Sequence, residues 1–169
     1  MQGSLKQFLE QVARRGSWVG GGSVAAFSAA LSAALLEKLI VRPHVVRALR
    51  HARRECLELI QRDADTFARV IEATRTKNQR AFRRSLQAAI DVPCRVFEHA
   101  QTIQAECRAA QRAVKPRFQS DLRCAMALAL AAAEGARTLI ETNLAWLNDR
   151  AYAQTIHRRL RSAARRQGS

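Results

Sequence analysis

A chain of 169 residues with 29 Lys and Arg against 14 Asp and Glu, a formal charge of +15, has the length of one domain with a sizeable core. Scarce aromatics, only three prolines and seven glycines, and no strand-length alternation of apolar and polar residues exclude a β-rich fold and predict an all-α one. The basic surface attracts polyanions in general, but aromatic interleaving and a recognition motif are both missing, so a dedicated nucleic-acid partner is not expected.

The first predicted helix is capped by Ser4, carries Leu5, Phe8, Leu9 and Val12 on one face, and ends at Arg14 and Arg15. It is expected to lie across a bundle. Glu10 and a helical pattern stand where a signal segment would be apolar, and no apolar run reaches the ~20 residues of a membrane span. These features predict a cytoplasmic protein that makes no use of a membrane.

Gly20-Gly21-Gly22-Ser23 comes next. No charged residue lies between Arg15 and Glu37, and the run from Val24 to Leu36 has no polar face at any helical period. A helix from Ser23 to about Val41 is therefore expected to be buried all round, as the central axis of a multihelical bundle. The glycines let the backbone approach a ligand, and the helix start offers N–H groups to an anion. Pro43 ends this element.

The third helix is predicted over 44–74, with Leu57, Leu59, Ile60, Ala64, Phe67, Ala68, Val70 and Ile71 on its apolar arc. Asp63 falls inside that arc, whereas Arg62, Asp65, Arg69 and Glu72 lie opposite. A carboxylate so placed must be paired, hydrogen-bonded or protonated. It is either a structural group satisfied by an arginine or a functional acid or base. The fourth helix follows a turn at 76–78, buries Phe82, Leu86, Ala89, Val92, Val96, Phe97 and Ala100, and should kink or break near Asp91 because of Pro93.

After Lys115-Pro116-Arg117, a fifth helix opens at Ser120-Asp121 with Ser120 as its N-cap. Asp121 and Asn143 both project to its apolar side, about 33 Å apart along a straight helix. A last helix begins near Asp149, and the arginine-rich stretch of about 157–169 is expected to be a solvated, fraying tail. Cys56, Cys94, Cys107 and Cys124 form no C-x-x-C pair, so no metal site is expected and the thiols fit a reducing compartment.

Five segments, GGGSVAA at 20–26, RDADTF at 62–67, DVP at 91–93, SDL at 120–122 and TNLAWLND at 142–149, resemble in order and spacing the cyclodeaminase/cyclohydrolase family. That family comprises the C-terminal domain of formiminotransferase-cyclodeaminase and the stand-alone methenyltetrahydrofolate cyclohydrolases. The resemblance covers nearly the whole chain, 1–169, read as one domain. It implies a homodimeric helical bundle and folate chemistry without metal or organic cofactor. The activity is then either closure of 5-formiminotetrahydrofolate with release of ammonia, or hydrolysis of the 5,10-methenyl ring.

Asp121 and Asp63 are the carboxylates expected to carry protons. Gly20, Gly21, Gly22, Ser23 and Ser120 are expected to line the substrate. Lys77, Arg83 and Arg84 are expected to meet the carboxylates of a folate, with or without a polyglutamyl tail. The chain departs from the family at Val19 in place of proline, at the shortened segment 39–44, at Val114-Lys115 in place of Gly-Asn, and at Leu139 in place of asparagine. These losses favour the alternative of a non-catalytic dimeric relative that binds a folate-like ligand or a protein partner.

Overall fold

The computed structural model describes residues 5–165. Within them the chain forms six α-helices: α1 (Leu5–Ala13), α2 (Gly21–Leu39), α3 (Pro43–Arg75), α4 (Gln79–Ala110), α5 (Gln119–Leu147) and α6 (Arg150–Arg165), with one 3-10 turn (Pro116–Phe118) before α5. The all-α expectation holds. The Ser4 cap and residues 166–169 lie outside the described residues.

Helix α2 packs against α3, α4 and α5, and is central in that sense. Its buried side is nearly all small: Ala25, Ala26, Ala29 and Ala33 are at most 6% exposed. Small side chains let the helix backbones come close, and the serines use that closeness. Ser28 Oγ donates to the Leu128 carbonyl at 3.0 Å and Ser32 Oγ to the Ala125 carbonyl at 2.6 Å, so α5 runs antiparallel beside α2.

The helix is nevertheless not buried all round. Val24 and Leu31, seven residues apart on one stripe, are 42% and 43% exposed, and Leu130 on α5 is 52% exposed. Composition alone could not distinguish a helix covered by its own chain from one covered only in part. In length and apolarity α2, at 19 residues, would also suffice to cross a membrane, contrary to the expectation from the sequence. Helix α1 lies on α2 through Phe8 and Phe27, whose ring centroids are 5.0 Å apart. Its predicted face is only partly used: Phe8 is buried and Val12 half-buried, while Leu5 and Leu9 point outward.

Three other expectations are corrected. Arg159 in α6 donates to Glu98 and Asp91 at 2.6 Å each, and Ile156, Leu160 and Ala163 are buried, so the basic segment is an ordered helix docked along one face, while Arg158, Arg161 and Arg165 are exposed as expected. Ser120 does not cap α5: the helix begins at Gln119, whose side chain reaches back to the Gln111 and Val114 carbonyls at 2.9 Å.

The third correction concerns Pro93, where α4 continues without the break that the proline could have caused. A proline has no N–H to give the carbonyl four residues earlier, which is that of Ala89. Asn143 Nδ2 on α5 donates to that carbonyl at 3.1 Å, so a neighbouring helix supplies the missing donor.

This geometry makes a paired prediction. Asn143→Ala strands a buried carbonyl and should lower unfolding free energy in urea by about 1–3 kcal/mol. In a Pro93→Ala background, where the helix supplies its own N–H, the same substitution should cost much less. Equal costs in both backgrounds would refute the coupling.

Candidate functional site

The glycine segment is the start of a helix more than it is a loop. Gly20 is the N-cap of α2 with an ordinary extended φ of −135° and has no side chain to hold the first amides, while Gly21 and Gly22 already lie in the first turn. The unpaired N–H groups there require an acceptor. Asp63 provides it from α3. Its carboxylate accepts from the backbone N–H of Ser23, and its Oδ2 also takes the Ser23 hydroxyl at 2.9 Å. Ser23 Oγ lies 3.1 Å from the Ile60 carbonyl as well, so one serine ties the helix start to a full turn of α3.

The anion expected at this helix terminus is thus the protein's own. Close approach explains one glycine in particular: a Cβ on Gly22 would stand 2.1 Å from Asp63 Oδ1, whereas nothing crowds Gly20 and only Leu139 neighbours Gly21, at 3.9 Å. Among the described residues no cation pairs with Asp63, which rules out the arginine-satisfied reading. Burial pushes its carboxyl above the usual range, and the hydrogen bonds from Ser23 pull the other way.

One turn beyond this carboxylate α3 exposes an aromatic ring. Phe67, one turn beyond Asp63, was expected in the core but is 40% exposed, and it meets the exposed Trp18 edge-on with centroids 6.0 Å apart. Trp18, Val19, Arg14, Arg15 and Gln61 line a cleft of about 440 Å³ between the end of α1 and α3. The sequence signal for it was available: a tryptophan between two arginines and a helix start has no apolar run to belong to.

The other expected residues are dispersed. Asp121 is in the first turn of α5 and pairs with Lys38 Nζ at 2.8 Å, at the far end of α2. Ser23 and Lys38 are separated by about 22 Å along that helix. One chain therefore does not bring Asp63 and Asp121 together. Ser120, beside Asp121, is exposed. Arg83 is taken by Asp149, whose Oδ1 also caps α6 by accepting from Tyr152 N–H at 3.0 Å. Arg84 opens instead onto a cleft of about 460 Å³ with Arg69, Arg80 and Asn78. Lys77 is exposed in the turn between α3 and α4, where its φ of 53° reverses the chain.

A family model described as formiminotransferase-cyclodeaminase matches residues 4–42 and 41–162. Among solved structures, formiminotetrahydrofolate cyclodeaminase from Thermotoga maritima is similar at 22% identity with a TM-score of 0.89, over 99% of this chain and 91% of that one. At that identity the likeness is one of fold. No curated protein matches the chain.

The contact between Gly22 and Asp63 predicts a sign reversal. Gly22→Ala should destabilise the protein by about 1–3 kcal/mol through overpacking. Once Asp63→Ala has removed the carboxylate, the same change should be neutral or stabilising by up to about 1 kcal/mol, the helix-propensity gain of alanine over glycine. Thermal denaturation of the four proteins checks this, and a constant cost would show that the carboxylate is not what excludes a side chain.

Proposed function

The chain belongs to the formiminotransferase-cyclodeaminase family, and from that premise we propose that it is a folate one-carbon enzyme, a methenyltetrahydrofolate cyclohydrolase or a formiminotetrahydrofolate cyclodeaminase, working without metal or organic cofactor. The observation that carries this reading is Asp63: a half-buried carboxylate with no cation partner among the described residues, raised in pKa by burial, one helical turn from the exposed Phe67 ring, which meets Trp18; Trp18 in turn lines the cleft that holds Arg14 and Arg15, a cleft Asp63 itself does not line. A planar heteroaromatic substrate stacks on rings, and its carboxylates seek guanidinium groups. A carboxyl whose pKa is raised toward neutrality serves better as a proton carrier than an ordinary aspartate.

In the deaminase reaction N10 attacks the formimino carbon, the bond from that carbon to the outer nitrogen breaks, and the proton lost by N10 goes to the departing ammonia. In the hydrolase reaction water adds to the methenyl carbon and gives up a proton, and the bond to N5 breaks as N5 is protonated. Asp63 is the carrier in either case.

Asp121 joins the site only if a second subunit supplies it. The exposed apolar stripe through Val24 and Leu31 runs between the two ends of α2. Antiparallel pairing of two such stripes would set the glycine end of one subunit against the Lys38 end of the other, and isologous contact of this kind is the usual form of a homodimer. We take the protein to be such a dimer, with the partner subunit's Asp121 facing Asp63.

A second reading is favoured by the full use of Asp63 as a helix cap and by the apolar Leu139 next to Gly21. On it the protein is a dimer that binds a folate-like ligand without turnover.

Loss of methenyl-folate absorbance and ammonia release from formiminotetrahydrofolate decide between them. Asp63→Asn should leave thermal stability intact or raised, since it retains an acceptor and removes a buried charge, while turnover falls by about 100-fold or more. Asp63→Asn and Asp121→Asn proteins, each inactive alone, should regain about a quarter of native turnover when reassorted, because half the dimers are then mixed and carry one intact site of two. No turnover of either folate by the native protein would leave the second reading.

In sedimentation the native protein should run as a dimer and Leu31→Glu as a monomer. A monomeric native protein would overturn the shared site.

A further inference from the structure

At the far end of the bundle a cavity of about 810 Å³ opens between the α2–α3 link and the end of α4. One wall is Leu39, Ile40 and Val41; the other is Ala113, Val114 and Phe118. These are two of the segments at which the sequence departs from its family, 39–44 and 114–115, and here they face one another.

The chemistry of the lining is unusually restricted. Among the described residues around the cavity there is no hydroxyl, carboxamide or carboxylate side chain; the only polar side chains are Lys38, Arg42 and Lys115 at its rim. The backbone of the α4 wall is satisfied internally. The Ala110 carbonyl accepts from Ala113 and Val114 N–H at 3.0 Å each, and the Val114 carbonyl accepts from Gln119 at 2.9 Å.

Of the three cations, Lys38 is held by Asp121 and Arg42 by Glu106, whereas among the described residues no carboxylate pairs with Lys115. Val41 at the mouth is 93% exposed, so apolar surface stands uncovered beside an unneutralised charge.

A pterin or a peptide would find no side-chain hydrogen-bond partner in this cavity other than the cations. A second copy seated here by isologous contact would set Lys115 against its own counterpart. An occupant with a hydrocarbon body and one anionic end matches the apolar side chains and the charge of Lys115. The volume is within the range of small-molecule sites.

We propose that this cavity binds an amphiphilic carboxylate, its alkyl chain between Ile40–Val41 and Ala113–Val114 and its head at Lys115. The site lies at the Lys38 end of α2, away from the glycine end of the same subunit; in the proposed dimer that end faces the partner's glycine end, so competition with a tetrahydrofolate is part of the test.

Dodecanoate, kept below its micellar concentration and titrated calorimetrically into the full chain, is the probe. Saturable binding of one molecule per chain is expected, weakened roughly tenfold by Lys115→Glu, a change at an exposed residue, and abolished by Ala109→Trp, which fills the cavity from its exposed edge. Dodecanol should bind more weakly than dodecanoate to the native protein and be indifferent to Lys115→Glu. Absence of saturable binding, equal affinity for the alcohol, or insensitivity to both variants would overturn the proposal. So would displacement of dodecanoate by a tetrahydrofolate, which would assign the cavity to the folate site, or dissociation of a dimer on Ala109→Trp, which would assign it to a second copy. Because dodecanoate binding is read without turnover, its failure leaves the enzymatic reading untouched, and an inactive protein can still bind it.

Discussion

The first amides of α2 have no side-chain cap of their own, and the fold is arranged to give them one from elsewhere. Gly20 at the N-cap cannot accept a hydrogen bond, so the acceptor is Asp63, forty positions later in the chain than Ser23. For that carboxylate to reach the helix start, α3 must lie close along α2, and position 22 must have no side chain. The alanines that follow on α2 extend the same close approach along the helix. A single electrostatic need, an acceptor for the positive end of a helix, thus fixes the register of the two helices on which the site is built.

The other motif residues do similar work between other helices. Asp91 and Glu98 hold Arg159 of α6; Asp149 holds Arg83 of α4 and caps α6; Lys38 of α2 holds Asp121 of α5; Asn143 of α5 serves the carbonyl that Pro93 leaves open in α4. Along the alanine-rich contacts of α2, apolar burial alone leaves helices free to slide, since alanine faces look alike at every register. Directional contacts at five places remove that freedom. The segments that signalled the family in the sequence are therefore, in large part, the segments that set helix register, and a residue in such a segment is not shown to be chemical by its place there.

Much of this was legible in advance, and the rest fails for identifiable reasons. Helix number, order and most ends follow from apolar periodicity and from Pro43, Asn78 and Lys115-Pro116, because these are local signals. The inward direction of Asp63 was readable from angular projection alone, though its partner was not: a cap contributed across forty residues leaves no local trace. The break allowed for at Pro93 does not occur for the same reason, since the donor that serves the open carbonyl sits on another helix. The tail was misread because arginine is counted as solvated unless its carboxylates can be seen, and Asp91 and Glu98 lie some sixty to seventy positions earlier.

The most instructive misreading is that of α2. A helix with no polar face is compatible with a protein core, a bilayer or a subunit interface, and sequence periodicity assigns all three the same pattern. The distribution of its few polar atoms marks which faces belong to the core. Ser23 and Ser32 are fully buried and Ser28 half-buried, each bonded to a neighbouring helix, while the uncovered stripe holds Val24 and Leu31, with Ser28 at its edge already bonded to α5. Polar groups are thus spent on the contacts that the chain makes with itself, and the remaining stripe offers apolar area without hydrogen-bonding demands. Charged residues of α2 enter only at Glu37 and Lys38, both already paired, so that stripe continues without a charge from the glycine end almost to Asp121. A surface of that kind, bounded at its two ends by the two carboxylates that one chain keeps apart, is what a shared site between identical subunits requires.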